Sequence, residues 1–180
     1  LLEKNLNKLN FKNLSNLLIN NKIILTFVAV FVLFISYLLL PTFYKQSDIS
    51  KVLKTQLQNK LDLNLKFSEN IKYNFFPTPH FTTTETSIFF NQNKISSIKN
   101  FKIFISIDNL FSLENIKIKD LIIENANFKL DKKNYIFFYN LLDKNFEDSS
   151  LIIKNSNIFF RNAEDEVLFI NKIFKMKYYF

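Results

Sequence analysis

Residues 98–108 read "IKNFKIFISID". Phe101, Ile103, Ile105 and Ile107 alternate with Lys102, Ser106 and Asp108, and only Phe104 breaks the pattern. A period of two puts successive side chains on opposite faces of an extended backbone, so this is a strand with one apolar and one polar face. Such a strand needs neighbours of the same kind, and the flanking sequence supplies them. "LDLNLKFS" (61–68) sets Leu61, Leu63, Leu65 and Phe67 against Asp62, Asn64, Lys66 and Ser68. Ile71, Tyr73 and Phe75 resume opposite Lys72 and Asn74 after a turn at Glu69 and Asn70, which predicts a β-hairpin. Beyond residue 108, "NLFSLE" reads as a single turn. Ile116 and Ile118 then alternate with Lys117 and Lys119, and residues 121–123, 128–130, 151–153, 158–160 and 167–173 add extended pieces.

Two segments punctuate this series. In "YNFFPTPHFTTTETSIFF" (73–90), Pro77 and Pro79 cannot donate ladder hydrogen bonds and hold φ near −65°. They form a structural corner that ends one strand and starts the next, 81–90. "SDISKVLKTQLQNKL" (47–61) instead places Ile49, Val52, Leu53 and Leu57 on one helical face, with Ser47 or Asp48 as N-cap, and predicts one short amphipathic helix. "YIFFYNLLDKNFED" (135–148) fits a short helix over the sheet edge.

Upstream, residues 23–40 ("IILTFVAVFVLFISYLLL") carry no charge over a length matched to a bilayer core, and predict a transmembrane helix. Tyr37, Leu38, Leu39, Leu40 and Pro41 stand where a signal peptide would need small residues, which argues for an uncleaved anchor. Lys4, Lys8, Lys12 and Lys22 precede it against Glu3 alone, so residues 1–22 are expected as a cytoplasmic basic stub and 41–180 as the exported part. The chain begins at Leu1 and stops inside an apolar, basic pattern, and is expected to be the N-terminal part of a longer protein.

Composition bounds the chemistry. The sequence holds no Gly and no Cys, one His and 23 Phe, so Asn is expected to take the left-handed backbone positions at turns that glycine usually fills. Without glycine, neither a Walker nor a Rossmann phosphate loop can be built, and without Cys there is no thiolate nucleophile. The net charge of +8 is dispersed and includes a single arginine, Arg161, which speaks against nucleic-acid binding. Glu164, Asp165 and Glu166 are the densest carboxylates and read as a solvated hairpin turn. His80 reads as a surface or capping residue. No catalytic group, metal site or small-molecule cofactor is expected.

Taken in order, the stub, anchor, amphipathic helix, hairpin, corner "FFPTPHFTTTETSIFF" and block "FKIFISIDNLFSLENIKIKDLIIENANFKL" resemble the N-terminal region of the AsmA family of bacterial envelope proteins. Leu110 and Phe111 take the family's turn position, and Phe128 and Leu130 its closing apolar pair. The chain has Asn59 and Lys60 where members usually carry a glycine, and Ala126 or Asn127 where they commonly carry a proline, so the related TamB-like and chorein-like groove proteins stay open as well. The resemblance implies a single-pass protein of the bacterial inner membrane, its bulk periplasmic, mainly β, with an open, curved antiparallel sheet that starts a hydrophobic groove for phospholipids moving toward the outer membrane. It also implies envelope or outer-membrane proteins as partners. The groove would be lined by Leu61, Leu63, Leu65, Phe67, Ile71, Tyr73, Phe75, Ile103, Ile105, Ile107, Ile116 and Ile118. Periodicity alone leaves an alternative, a membrane-anchored β-sandwich that scaffolds envelope proteins, because an apolar sheet face can equally be sealed by a second sheet.

Overall fold

The computed structural model describes residues 22–68, 70–143 and 150–179. The chain divides into two compact units, Leu1–Leu39 and Leu40–Phe180. Residues 1–21, most of the basic stub, lie outside the described residues.

In the first unit, helix α1 (Lys22–Leu38) is apolar on all sides, with Ile23, Phe27, Val30, Phe31 and Leu33 among its exposed side chains. Thr26 Oγ1 donates to the Lys22 carbonyl and Ser36 Oγ to that of Val32, both at 2.8 Å, so these hydroxyls are satisfied within the helix. The α-helix stops two residues before the end of the apolar run. Pro41 has no N–H for the Tyr37 carbonyl and pushes Leu40 away from α geometry, and a 3-10 turn, Leu40–Phe43, follows. Seventeen residues span about 25 Å. Among the described residues no helix is long and apolar enough to cross a membrane.

The second unit is mainly β. Helix α2 (Gln46–Leu61) begins two residues earlier than a Ser47 cap implies: Lys45 takes the N-cap position without a side-chain hydrogen bond, and Asp48 sits in the first turn, where its charge suits the positive helix end. Asp62 ends the helix in the left-handed conformation (φ 54°), the role usually taken by glycine. Its N–H bonds the Gln58 carbonyl, and the Leu63 N–H bonds that of Leu57.

Seven strands follow: β1 (Asn64–Lys66), β2 (Ile71–Asn74), β3 (His80–Phe90), β4 (Asn93–Ile105), β5 (Ile118–Leu130), β6 (Ser150–Arg161) and β7 (Val167–Tyr179), with helix α3 (Tyr135–Asp143) between β5 and β6. All belong to one open, curved sheet of order β1-β3-β4-β5-β6-β7, with β2 also on β3. Among the described residues there is no second sheet to make a sandwich.

Two expectations are corrected. The hairpin between 61–67 and 71–75 does not form; β1 and β2 lie end to end along β3, with Leu65 opposite Ile88 and Ile71 opposite Thr83. Pairing both pieces with β3 satisfies its edge at His80–Thr83 and again at Ser87–Phe89, which folding β2 onto β1 would leave half open. The true hairpin is β2–β3, turning at Pro77 and Pro79, and the Pro79 carbonyl accepts the Ile105 N–H at 3.0 Å. The sheet is also not purely antiparallel, because β5 and β6 run parallel. The α3 connection between them is long enough for the dozen or more residues a parallel return requires.

One row of residues governs the shape. Glu85 in β3, Asn125 in β5 and Asn155 in β6 all have positive φ in mid-strand. The registers on either side place Glu85, Lys99, Asn125, Asn155 and Phe174 side by side across five strands. At this row the buried set changes parity: Phe81 and Thr83 give way to Thr86 and Ile88, and Leu121 and Ile123 to Ala126 and Phe128. β4 and β6 switch at the same row. Thr83 and Thr86 meet at 3.5 Å across Glu85, so both remain on one side of the sheet. The inside of the crease is lined by Thr86, Ile98, Ala126 and Ser156, and the Ser156 hydroxyl accepts the Ala126 N–H (3.0 Å) while donating to the Lys154 carbonyl (2.7 Å).

For a non-glycine residue the left-handed conformation costs roughly 1–2 kcal/mol, and less for Asn. Asn125→Val should therefore lower stability by about 1–2 kcal/mol, Asn125→Gly by less than about 0.5, and Lys119→Val, at an ordinary exposed position of the same strand, by less than about 0.5. Denaturant midpoints of the three variants check this.

Candidate apolar binding surface

The inner face of the sheet carries the core. Ile49, Leu53 and Leu57 of α2 are buried, and α2 packs on β1, β2 and the 3-10 turn Leu113–Asn115. Gln56 Nε2 donates to the Ile116 carbonyl (2.6 Å), Tyr44 Oη donates to that of Leu110 (2.7 Å), and Lys54 Nζ lies 5.9 Å from the centre of the Phe67 ring. Helix α3 covers the far end of the same face, not the sheet edge, with Phe137 against Phe90 and Phe138 against Phe128. The outer face is mixed: Ile122, Ile152, Phe159 and Ile170 share it with Glu124, which bridges Lys102 (3.5 Å) and Lys154 (3.7 Å) from the two neighbouring strands.

The residues expected to line a groove divide by position. Leu63, Leu65, Phe67, Ile71, Ile103, Ile105, Ile116 and Ile118 are buried in the protein's own core. Tyr73 is half-buried and stacks on Phe81 (5.4 Å), while Phe75 and Ile107 are exposed at 39% and 48% beyond the ends of their strands. The side chain of Leu61 lies outside the described residues. Period-two alternation identified the inward set, but alternation carries no information on whether that set is covered, and here most of it is buried.

The apolar surface that remains accessible lies farther along the same face. Directly opposite residues on paired strands point the same way. From the buried Leu151, Ile153 and Ser156 of β6, the register therefore carries the inner face onto Tyr178, Met176 and Ile173 of β7. On this face the inner residues of β5 are buried. Ile158 and Phe160 at the end of β6 are half-buried, as are Ile173 and Met176, and Phe169 is exposed at 57%. Phe160 and Phe169 stack at 4.2 Å. No simple alternation marked this strip, because Asn171 is the inward residue between Phe169 and Ile173 and the parity change at Phe174 moves the next inward residue to Met176.

The other singled-out groups are structural. His80 is buried rather than at the surface: its ring stacks on Phe104 at 4.9 Å and Nδ1 donates to the Thr78 carbonyl at 2.8 Å. Glu164, Asp165 and Glu166 are exposed in the β6–β7 turn, where Asn162 Oδ1 accepts the N–H groups of Glu164 and Glu166, and Arg161 pairs with Asp165 at 2.9 Å. Among the described residues no three His, Cys, Asp or Glu side chains gather as a metal-holding group.

A charge placed in the core has no partner, whereas one on the open strip meets water. Ile103→Asp should cost more than about 4 kcal/mol and leave little folded protein, while Phe169→Asp should cost less than about 1.5 kcal/mol, mostly its contact with Phe160. Thermal unfolding followed by circular dichroism separates the two. Compared with protein-family models and with curated proteins, the sequence matches none of them.

Proposed function

We propose that the chain is a non-enzymatic, membrane-anchored envelope protein that holds phospholipid acyl chains against the open inner face of β6 and β7. The observation that carries this reading is the passage of one apolar face from buried on β5 to half-open on β7. An acyl chain laid along Ile158, Phe160, Phe169 and Ile173 needs no directional contact. It binds by the area term that builds cores, about 25 cal/mol per Å², so a few hundred Å² supplies several kcal/mol before ordering costs.

Helix α1 serves as the anchor in this reading. It is apolar all round, its Thr26 and Ser36 hydroxyls are satisfied internally, and the uncharged run continues past its end to residue 40, a length matched to a bilayer core. The lysines of the stub favour an N-terminus in the cytoplasm, with the sheet in the periplasm of a bacterial inner membrane. The AsmA-like arrangement extends this to conduction of phospholipids toward the outer membrane, with consequences for its assembly. The groove starts at β6–β7, and α2 with its core caps the sheet's other end. A second reading, an envelope scaffold, is favoured by the consecutive exposed apolar residues Val167, Leu168, Phe169 and Ile170.

A photo-crosslinking amino acid introduced at position 169 or 173 in the full chain, in bacterial membranes, should capture phospholipid detectable by mass spectrometry. The same residue at position 102 on the outer face should capture at least five-fold less. Equal capture at both faces, or none at 169 and 173, overturns the lipid reading.

A further inference from the structure

Three connections meet at one end of the sheet: the β3–β4 turn, the β5–α3 turn and the β6–β7 turn. The ladder between β4 and β5 stops at the Ser96–Phe128 pair, so residues 93–95 part there from residues 129–130. A cavity of about 670 Å³ lies at this parting and is lined from all three turns. Its volume falls within the roughly 300–1,000 Å³ of small-molecule sites.

The charged lining is four lysines, Lys94, Lys129, Lys132 and Lys133, and two aspartates, Asp131 and Asp165. Both aspartates are engaged. Asp131 Oδ1 accepts the N–H groups of Lys133 (2.7 Å) and Asn134 (3.0 Å), which fixes the approach to α3, and Asp165 pairs with Arg161 (2.9 Å). Glu164 and Glu166 stand in the same turn without lining the cavity, and Asn162 Nδ2 donates to Glu166 (2.9 Å). None of the four lysines has an ion-pair partner among the described residues. Two buried groups that can donate, Ser96 Oγ and Arg161 Nε, also lack a partner among the described residues, and each stands one residue from this lining. Lysine meets phosphate as a point charge with three donors, and several ammonium groups on separate segments suit a group that offers several anionic oxygens.

We propose that this cavity binds a phosphate group, the headgroup phosphate of a phospholipid whose chains lie on the β6–β7 strip. Phe160 ends the strip two residues before Asn162 and stacks on Phe169 across the turn, so the acyl track and the cavity adjoin at the β6–β7 turn. The excess of cations selects headgroups of net negative charge over zwitterionic ones. The phosphate site rests on the cavity and its lysines alone, whereas its assignment to a lipid rests on the acyl-chain reading.

The test uses the full chain, isotopically labelled and held soluble by an uncharged amphipol, and follows the amide resonances of residues 93–95 and 129–134. The probes are inorganic phosphate, dihexanoyl phosphatidylglycerol and dihexanoyl phosphatidylcholine. Phosphate should shift these resonances saturably, and phosphatidylglycerol should bind at least tenfold tighter than phosphate and at least threefold tighter than phosphatidylcholine. The double variant Lys132→Gln/Lys133→Gln should weaken phosphate and phosphatidylglycerol at least tenfold. Lys117→Gln/Lys119→Gln, which removes the same charge at the other end of the sheet, should change either by less than twofold. No saturable shift with phosphate or phosphatidylglycerol, or equal losses in the two double variants, overturns the inference. Phe169→Asp separates the sources. A fivefold loss of phosphatidylglycerol affinity with phosphate binding unchanged supports the headgroup. Equal affinity for phosphate and phosphatidylglycerol, both untouched by Phe169→Asp, overturns the headgroup assignment and leaves a site for free phosphate. Phosphatidylglycerol binding that falls with Phe169→Asp but not with Lys132→Gln/Lys133→Gln overturns the phosphate site while the acyl-chain reading stands.

Discussion

A sheet whose long strands each bend once must bend along one line, or its ladders come apart. Here the line is the row through Glu85, Lys99, Asn125, Asn155 and Phe174. Three of these residues have left-handed backbones. Each strand spends one residue on the turn, so the inward set shifts by one position while staying on the same side. Without that coordination the far half of every strand would turn its apolar residues to water and its lysines inward. The core beneath α2, the Phe cluster beneath α3 and the open strip on β7 all presuppose that the inner face is continuous across the crease.

Small and polar residues sit inside at the crease, where Thr86, Ala126 and Ser156 lie beside Ile98 of β4 and Ile173 of β7. The Ser156 hydroxyl accepts an N–H that the bend turns out of line, so the local loss of ladder geometry leaves the buried Ala126 N–H paired. A chain without glycine achieves this with Asn, whose short amide tolerates positive φ better than other side chains.

The two helices then decide what kind of surface the inner face becomes. α2 closes the β1–β2 end, and its hydrogen bond from Gln56 to Ile116 ties the β4–β5 connection to it. α3 closes the distal end of β3, β4 and β5. The apolar face emerges toward solvent on β6 and β7, where acyl-chain contact is proposed.

Much of this was legible in the residues. Alternation marked the strands, the Pro77–Pro79 corner marked the entry to β3, and the 3.6-residue spacing of Ile49, Leu53 and Leu57 marked α2, because each signal arises within a few residues of itself. The inward identity of Ile103 and Ile105 was legible for the same reason. Only the tertiary structure decided that these residues are buried within the protein, that β1 and β2 share β3 as partner, that β6 returns parallel to β5, and that the exposed apolar strip belongs to β7. Those outcomes depend on contacts between residues far apart in the chain, and a local period of two is the same whether the face it creates is sealed, open or continued by another strand.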